Sequence, residues 1–207
     1  MSVFLPDGEI LCEECDNYFF KYAFITNVFD LDADPKCSDG LFNRIKCPRC
    51  NTEFTFETPI LVFSHIRKLL VCASVNNDGL INITSLKRAL EISKSTDWTL
   101  RKCSFAMDAG EKIRIFNNGL DDGKIELVKL KCFDDYKDMD LTDNYITFEN
   151  LRDNELVFTY RDFKDNILQT RYISFEEYKT MPQTKVPPQT WYTIDRDWAI
   201  NYMEETI

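Results

Sequence analysis

Residues 17–29 crowd Tyr18, Phe19, Phe20, Phe24, Ile25, Val28 and Phe29 into a short stretch. Aromatic and β-branched enrichment of this kind predicts one long or broken strand. Residues 30–40 are polar and predict a loop. Residues 42–46 lead into a short turn and residues 52–57 leave it, with Phe54 and Phe56 on one face by the two-residue period of a strand. Residues 59–75 are apolar and predict mixed strand and loop. Asn76, Asn77, Asp78 and Gly79 predict a turn, and Gly79 suits a positive φ. Residues 84–93 fit a short helix with Leu86, Ala89 and Leu90 inward.

Helical periodicity is clearest in residues 109–116, stopped at Asn118-Gly119, and again from Asp121 to about Tyr136. In the second helix Ile125, Val128 and Cys132 recur at intervals of three and four, and Leu127 and Leu130 widen the stripe. Asp121 and Asp122 fall in its first turn, where carboxylates suit the positive helix end. The two helices form an αα-hairpin or corner. Residues 134–143 hold five acids and one base and predict a solvated linker. Beyond it, residues 145–149, 155–160 and 167–175 predict a three-strand meander. Residues 181–190 contain Pro182, Pro187 and Pro188 and predict a loop. Residues 194–205 predict a helix capped by Asp195, with Trp198 and Tyr202 on one face.

Composition narrows the class. The 207 residues are 44% hydrophobic and 14% aromatic, enough apolar mass for a core in one or two domains and too much for general disorder. The most apolar stretch, residues 59–75, is broken by His65, Arg67 and Lys68, so no membrane span is expected. The first residues carry no basic and long apolar regions, so no signal peptide is expected. The net charge is −10, which opposes nucleic-acid binding, but it is unevenly spread. Residues 1–40 carry −7, residues 44–102 carry +5 and residues 103–207 carry −8. Arg44, Lys46 and Arg49 surround the second cysteine pair, and Arg67, Lys68, Lys87 and Arg88 follow. Whether they converge on one face decides whether a phosphate surface exists.

Four of the eight cysteines fall in two pairs, Cys12-Glu13-Glu14-Cys15 and Cys47-Pro48-Arg49-Cys50. Without a secretion signal the expected compartment is reducing and cytoplasmic. Four soft sulfurs in two turns suit a tetrahedral Zn-S4 site, and the intervening loop closes at little entropic cost. One structural Zn²⁺ held by Cys12, Cys15, Cys47 and Cys50 is the expectation. Iron in the same sulfurs, a redox pair and buried thiols are the alternatives. Cys72, Cys103 and Cys132 sit in apolar settings and read as core, whereas Cys37 follows an acidic loop. Asp30, Asp32 and Asp34 open like a calcium loop, but Pro35 and Leu41 break that pattern.

The cysteine pairs, Phe54, residues 59–63 and Thr26-Asn27-Val28 together resemble the CpXC family of bacterial and archaeal domains. Residues 111–116, Gly119-Leu120-Asp121-Asp122 and Ile125-Glu126-Leu127 resemble its second half. The likeness covers about residues 8–135. It implies a zinc-binding fold and names no activity. The first pair departs from the family pattern by lacking the proline, which donates nothing to a metal.

The expected fold is α+β: a zinc-ribbon-like antiparallel sheet elaborated by the α-hairpin, followed by a β-meander and a C-terminal helix. Residues 1–135 form a zinc-binding domain, and residues 144–207 a C-terminal part that either packs on the first or stands apart. With one histidine, no GxSxG, no P-loop and no dinucleotide fingerprint, the expectation is against an enzyme and no catalytic residue is assigned. The leading function is a structural zinc protein serving protein interaction, with another protein or a second copy as partner and Trp191, Tyr192 and Trp198 as contact candidates. A nucleic-acid-binding zinc ribbon is the first alternative. A carboxylate-dependent enzyme using Asp121, Asp122 and Glu126 is the second.

Overall fold

A computed structural model describes residues 2–4, 9–20, 27–33, 42, 44–55, 60–73, 91, 97–140, 144–162, 164–186 and 190–206. The expected turn at 76–79, nearly all of the helix at 84–93, and Cys37, Phe56, Lys87 and Arg88 lie outside these residues. The chain divides into two compact units, residues 1–110 with 188–190 and residues 111–187 with 191–207.

In the first unit, β1 (Ser2–Phe4), β2 (Glu9–Cys12) and β3 (Asn17–Phe20) form an antiparallel sheet. The long strand expected at 17–29 begins as β3 and ends as β4 (Asn27–Asp30), which belongs to another sheet. A separate hairpin pairs β5 (Arg44–Lys46) with β6 (Glu53–Thr55). The largest sheet has the order β4, β7 (Ile60–Ser64), β8 (Leu69–Ala73), β9 (Thr99–Cys103).

This four-stranded sheet corrects the purely antiparallel expectation. β4 runs parallel to β7, β7 antiparallel to β8, and β8 parallel to β9. Parallel neighbours need long crossovers. The β5–β6 hairpin lies within the crossover from β4 to β7. All five residues of β7 and all five of β8 are buried, as their uninterrupted apolar runs require for central strands covered on both faces. Asp32 pins the β7–β8 turn. Its carboxylate accepts bonds from the Ser64 hydroxyl at 2.6 Å, the His65 N–H at 2.6 Å and the Ile66 N–H at 3.1 Å. Desolvation works against this carboxylate, but these donors and Arg67 outweigh it and hold its pKa below 3.8.

The boundary of the second unit falls inside helix α1 (Ala106–Asn117). Helix α1 starts a turn before the apolar periodicity and stops at Gly119, whose φ is +69°. Helix α2 (Asp122–Cys132) is capped by Asp121, which accepts the Lys124 N–H at 2.9 Å. It ends a turn earlier than expected, because Phe133 is extended and Tyr136 turns back to place its hydroxyl on Glu126 at 2.7 Å. The start of the expected solvated linker is therefore partly core.

The meander is β10 (Asn144–Arg152), β11 (Glu155–Asp162) and β12 (Ile167–Ser174), all antiparallel. Asp153 and Asn154 make its first turn with positive φ. A short helix, α3 (Phe175–Thr180), begins at Phe175, the last residue of the expected strand. Ser174 and Glu177 form a capping box, a signal present in the sequence. Helix α4 (Arg196–Thr206) is capped by Asp195, which accepts the Trp198 N–H at 2.9 Å. The core joins Ile115, Ile125 and Val128 of the hairpin to Ile146, Phe148, Leu156 and Phe158 of the meander, with Ala199 of α4. The hairpin thus packs with the meander.

Candidate metal centre

Each cysteine pair sits in the turn of a hairpin. Cys12 ends β2 and Asn17 opens β3. Cys47 follows β5, and Glu53 opens β6. The Cys15 N–H reaches Cys12 O at 3.3 Å and the Asn51 N–H reaches Cys47 O at 2.9 Å, so both turns close tightly. The residue after each pair adopts positive φ, Asp16 at 53° and Asn51 at 62°. Aspartate and asparagine tolerate this region better than most residues, so both turns carry a local signal that the pairs alone did not reveal.

The two turns meet. The four Sγ atoms lie within 4.8 Å of one another. Cys12 Sγ is 3.5 Å from Cys50 Sγ, and Cys15 Sγ is 3.6 Å from Cys47 Sγ. These distances exceed a disulfide bond of about 2.05 Å. They approach the ~3.8 Å edge of a tetrahedron whose metal–sulfur distance is about 2.3 Å. The residues present therefore fit a tetrahedral soft-metal site. Among the described residues this is the one grouping of metal-ligating side chains that emerges.

Neighbouring groups favour the thiolate form on the second turn. The Arg49 N–H faces Cys47 Sγ at 3.4 Å, and the Thr52 hydroxyl lies 3.2 Å from Cys50 Sγ. The Thr52 hydroxyl and then its backbone N–H lower Cys50 to about 6. Desolvation raises Cys47, but the N–H groups of Cys50 and Arg49 outweigh it and leave the thiol below 9.0. On the first turn desolvation comes first, and the adjoining sulfurs add to it. Cys12 is raised and Cys15 is pushed up to about 12. A bound cation would reverse that by its own charge. The Arg49 guanidinium also donates to Cys15 O at 3.0 Å, tying the second turn to the first. Thr52, Asp16 and Asn51 are the supporting residues that spacing alone left unassigned.

The other candidates fall elsewhere. Cys72 and Cys103 are buried and Cys132 half-buried, as their apolar settings predict. Burial raises the Cys72 thiol. His65 stands edge-on between the Phe63 and Trp98 rings, at 5.4 and 5.3 Å. Of the calcium-like acids, Asp32 serves the β7–β8 turn and Asp34 lies outside the described residues. Arg67 and Lys68 lie beside Asp32 and Asp97, at 4.0 and 3.9 Å. Trp198 stacks on Tyr202 at 5.1 Å and both pack against the core, so Trp198 is a core residue first.

Asp122 and Glu126 are brought together, but in the interior and with cations between them. Lys112 Nζ lies 3.5 Å from each carboxylate. Lys129 Nζ lies 2.8 Å from Glu111 and 3.0 Å from Glu126. The Phe148 N–H donates to Glu111 at 2.6 Å. Every buried side-chain polar atom among the described residues has a partner. The carboxylates act here as counter-ions in a packed cluster. Asp121 caps α2 and accepts from the Thr184 hydroxyl at 2.6 Å.

No helix among the described residues is long and apolar enough to cross a membrane. No curated protein and no solved structure matches the chain. The family profile described as CpXC protein matches residues 10–129, a span that contains both cysteine turns and helix α1 and ends within α2. With four cysteines converging inside a match that covers more than half its length, the chain belongs to the CpXC family.

Proposed function

We propose that Cys12, Cys15, Cys47 and Cys50 hold one structural Zn²⁺, and that this cytoplasmic protein serves as a protein-interaction module rather than an enzyme. The convergence of four sulfurs within 4.8 Å carries the metal reading. Four thiolates fill a tetrahedral shell and leave no position for water or substrate, which distinguishes structural from catalytic zinc. They surround the dication with a net charge of −2. The Arg49 N–H on Cys47 and the Thr52 hydroxyl by Cys50 help to offset that excess. Because two hairpins distant in sequence supply the ligands, the unfolded chain has no preformed site. Metal binding therefore contributes directly to folding.

Elemental mass spectrometry of the freshly purified chain, paired with thiol titration before and after chelation, tests the metal. One zinc per chain, with four thiols released by chelator, is expected. Metal-free protein with all eight thiols already reactive refutes the reading. C47S or C50S should lose zinc and become protease-sensitive, with C72S milder. Equal proteolysis of C47S and wild type contradicts the folding role.

The interaction reading rests on the closed ligand set and on carboxylates committed to buried lysines. Chemical cross-linking in native extract tests it. A reproducible protein-to-protein cross-link, to itself or to another chain, is expected, and none over repeated preparations refutes it. The nucleic-acid reading gains nothing from Arg67 and Lys68, since each lies by a carboxylate.

A further inference from the structure

The two edges of the C-terminal sheet are treated differently. Edge strand β10 is covered by helix α1. The Phe148 N–H donates to Glu111 at 2.6 Å, and Arg114 Nε donates to Phe148 O at 3.0 Å. The other edge, β12, pairs with β11 alone among the described residues. Seven of its eight residues are exposed. Leu168 is 63% and Tyr172 61% exposed, and Ile167 is exposed as well.

Natural sheets protect a free edge with proline, a bulge, lysines or inward charges. The segment Ile167–Ser174 contains no proline, no lysine and no acid. Its register with β11 runs unbroken over all eight pairs, so no bulge blunts it. The single charge, Arg171, places its guanidinium over the Phe133 ring at 5.2 Å, on the face that Phe158 shares. It is directed to the strand's own core side and away from the open edge.

We propose that a second copy of this chain docks on β12, strand against identical strand, antiparallel about a two-fold axis at Thr170. This names the partner and surface for the interaction reading above and rests on it. The side-chain pattern is self-complementary in that register. Leu168 meets the partner's Tyr172, Thr170 meets the partner's Thr170, and Ile167 meets the partner's Ile173. Opposed residues share a face in an antiparallel pair, so Leu168 and Tyr172 of both copies form one continuous apolar stripe on the outer face. Aromatic–aliphatic and Thr–Thr pairs are favourable cross-strand partners. The charges also fit. Arg171 meets the partner's Gln169 instead of its own equivalent. The product is a six-stranded sheet whose outer edges are both the α1-covered β10. A contact of one strand pair is smaller than a standard stable interface, so dimerisation is concentration-dependent.

Sedimentation or light scattering of the full zinc-replete chain across the micromolar range tests this, with the L168K/Y172K variant in parallel. The wild type should move from monomer to dimer. The variant should stay monomeric, its dissociation constant raised by about tenfold or more, with unchanged circular dichroism, melting temperature and zinc content. Wild type that is monomeric throughout overturns the second copy, while the cross-linking test still decides the interaction reading. A dimer that L168K/Y172K leaves intact overturns β12 as its site and leaves that reading standing. Cross-links from β12 to a different protein in extract, without self-association, overturn the second copy and support the module.

Discussion

Replacing Lys129 by methionine removes the cation at the centre of the most deeply buried charge cluster. Lys129 is 2% exposed, and its Nζ lies 2.8–3.0 Å from carboxylate oxygens of Glu111 and Glu126. Three carboxylates (Glu111, Asp122, Glu126) face two ammonium groups (Lys112, Lys129), a balance of −1. Without Lys129 the balance is −2. Lys112 lies 3.5 Å from Glu126 and from Asp122. Breaking a buried pair by removing one partner costs about 3–5 kcal/mol. A domain's whole stability is about 5–15 kcal/mol. The second unit has about 95 residues, a size at which each kcal/mol moves Tm by about 4–8 °C. K129M should therefore lower the melting temperature of that unit by roughly 12–40 °C.

Methionine fills the same space, so the loss reads charge and not volume. The control is K129M/E111Q/E126Q. Glutamine oxygens can still accept from the Phe148 N–H and the Tyr136 hydroxyl, and the cluster becomes neutral around Lys112 and Asp122. This triple variant should recover a large part of the loss. Urea denaturation followed by circular dichroism gives both values. A K129M cost below about 1 kcal/mol, or a triple variant no better than K129M, refutes the charge accounting.

Other consequences follow from the same contacts. The contributions of Glu126 and Lys129 to the second unit should both be complete between about pH 4.5 and about pH 10.5. Desolvation opposes the Glu126 charge, but Lys129 and Lys112 outweigh it and hold the carboxyl below 4.5. Its contribution is therefore present above that value and lost as pH falls through the folded pKa. Desolvation likewise opposes the Lys129 charge, but Glu111 and Glu126 raise its pKa above 10.5, so its contribution is complete below that value and lost as pH rises through the folded pKa. Denaturant midpoints across pH check both limbs, and a flat profile contradicts them. D32A should cost about 2 kcal/mol by orphaning three donors of the β7–β8 turn, read as faster amide exchange at His65 and Ile66. G123A should destabilise, because a Cβ there would stand 2.8 Å from Thr184 and from Trp198. Overpacking costs about 1–3 kcal/mol, more than the up to about 1 kcal/mol that helix propensity returns. An unchanged melting temperature argues against that close packing.

The parts legible in the sequence are those fixed by neighbours. The cysteine pairs announced two tight turns, and each closes within its own hairpin. Asn118-Gly119 stopped α1 because Gly119 accepts a positive φ. Asp195 capped α4 through a bond three residues away. The meander followed from alternation and polar turns. Helix α3 was equally legible through Ser174 and Glu177, but the strand pattern running into Phe175 masked it. What the sequence left open depends on partners far along the chain. The pairing of β4 with β7 and of β8 with β9 is parallel, and no local signal specifies which distant strand a buried apolar run will join. In the sequence the carboxylates of α2 read as a cap and surface acids, with a reactive pair as the alternative. Only the approach of α1 brought Lys112 to them and, with α2's own Lys129, made them counter-ions. The hairpin's placement against the meander was likewise decided by packing, as was the edge at β12, which pairs with β11 alone among the described residues. A strand's sequence states which face is apolar, whereas the tertiary structure alone states which edge is left without a neighbour.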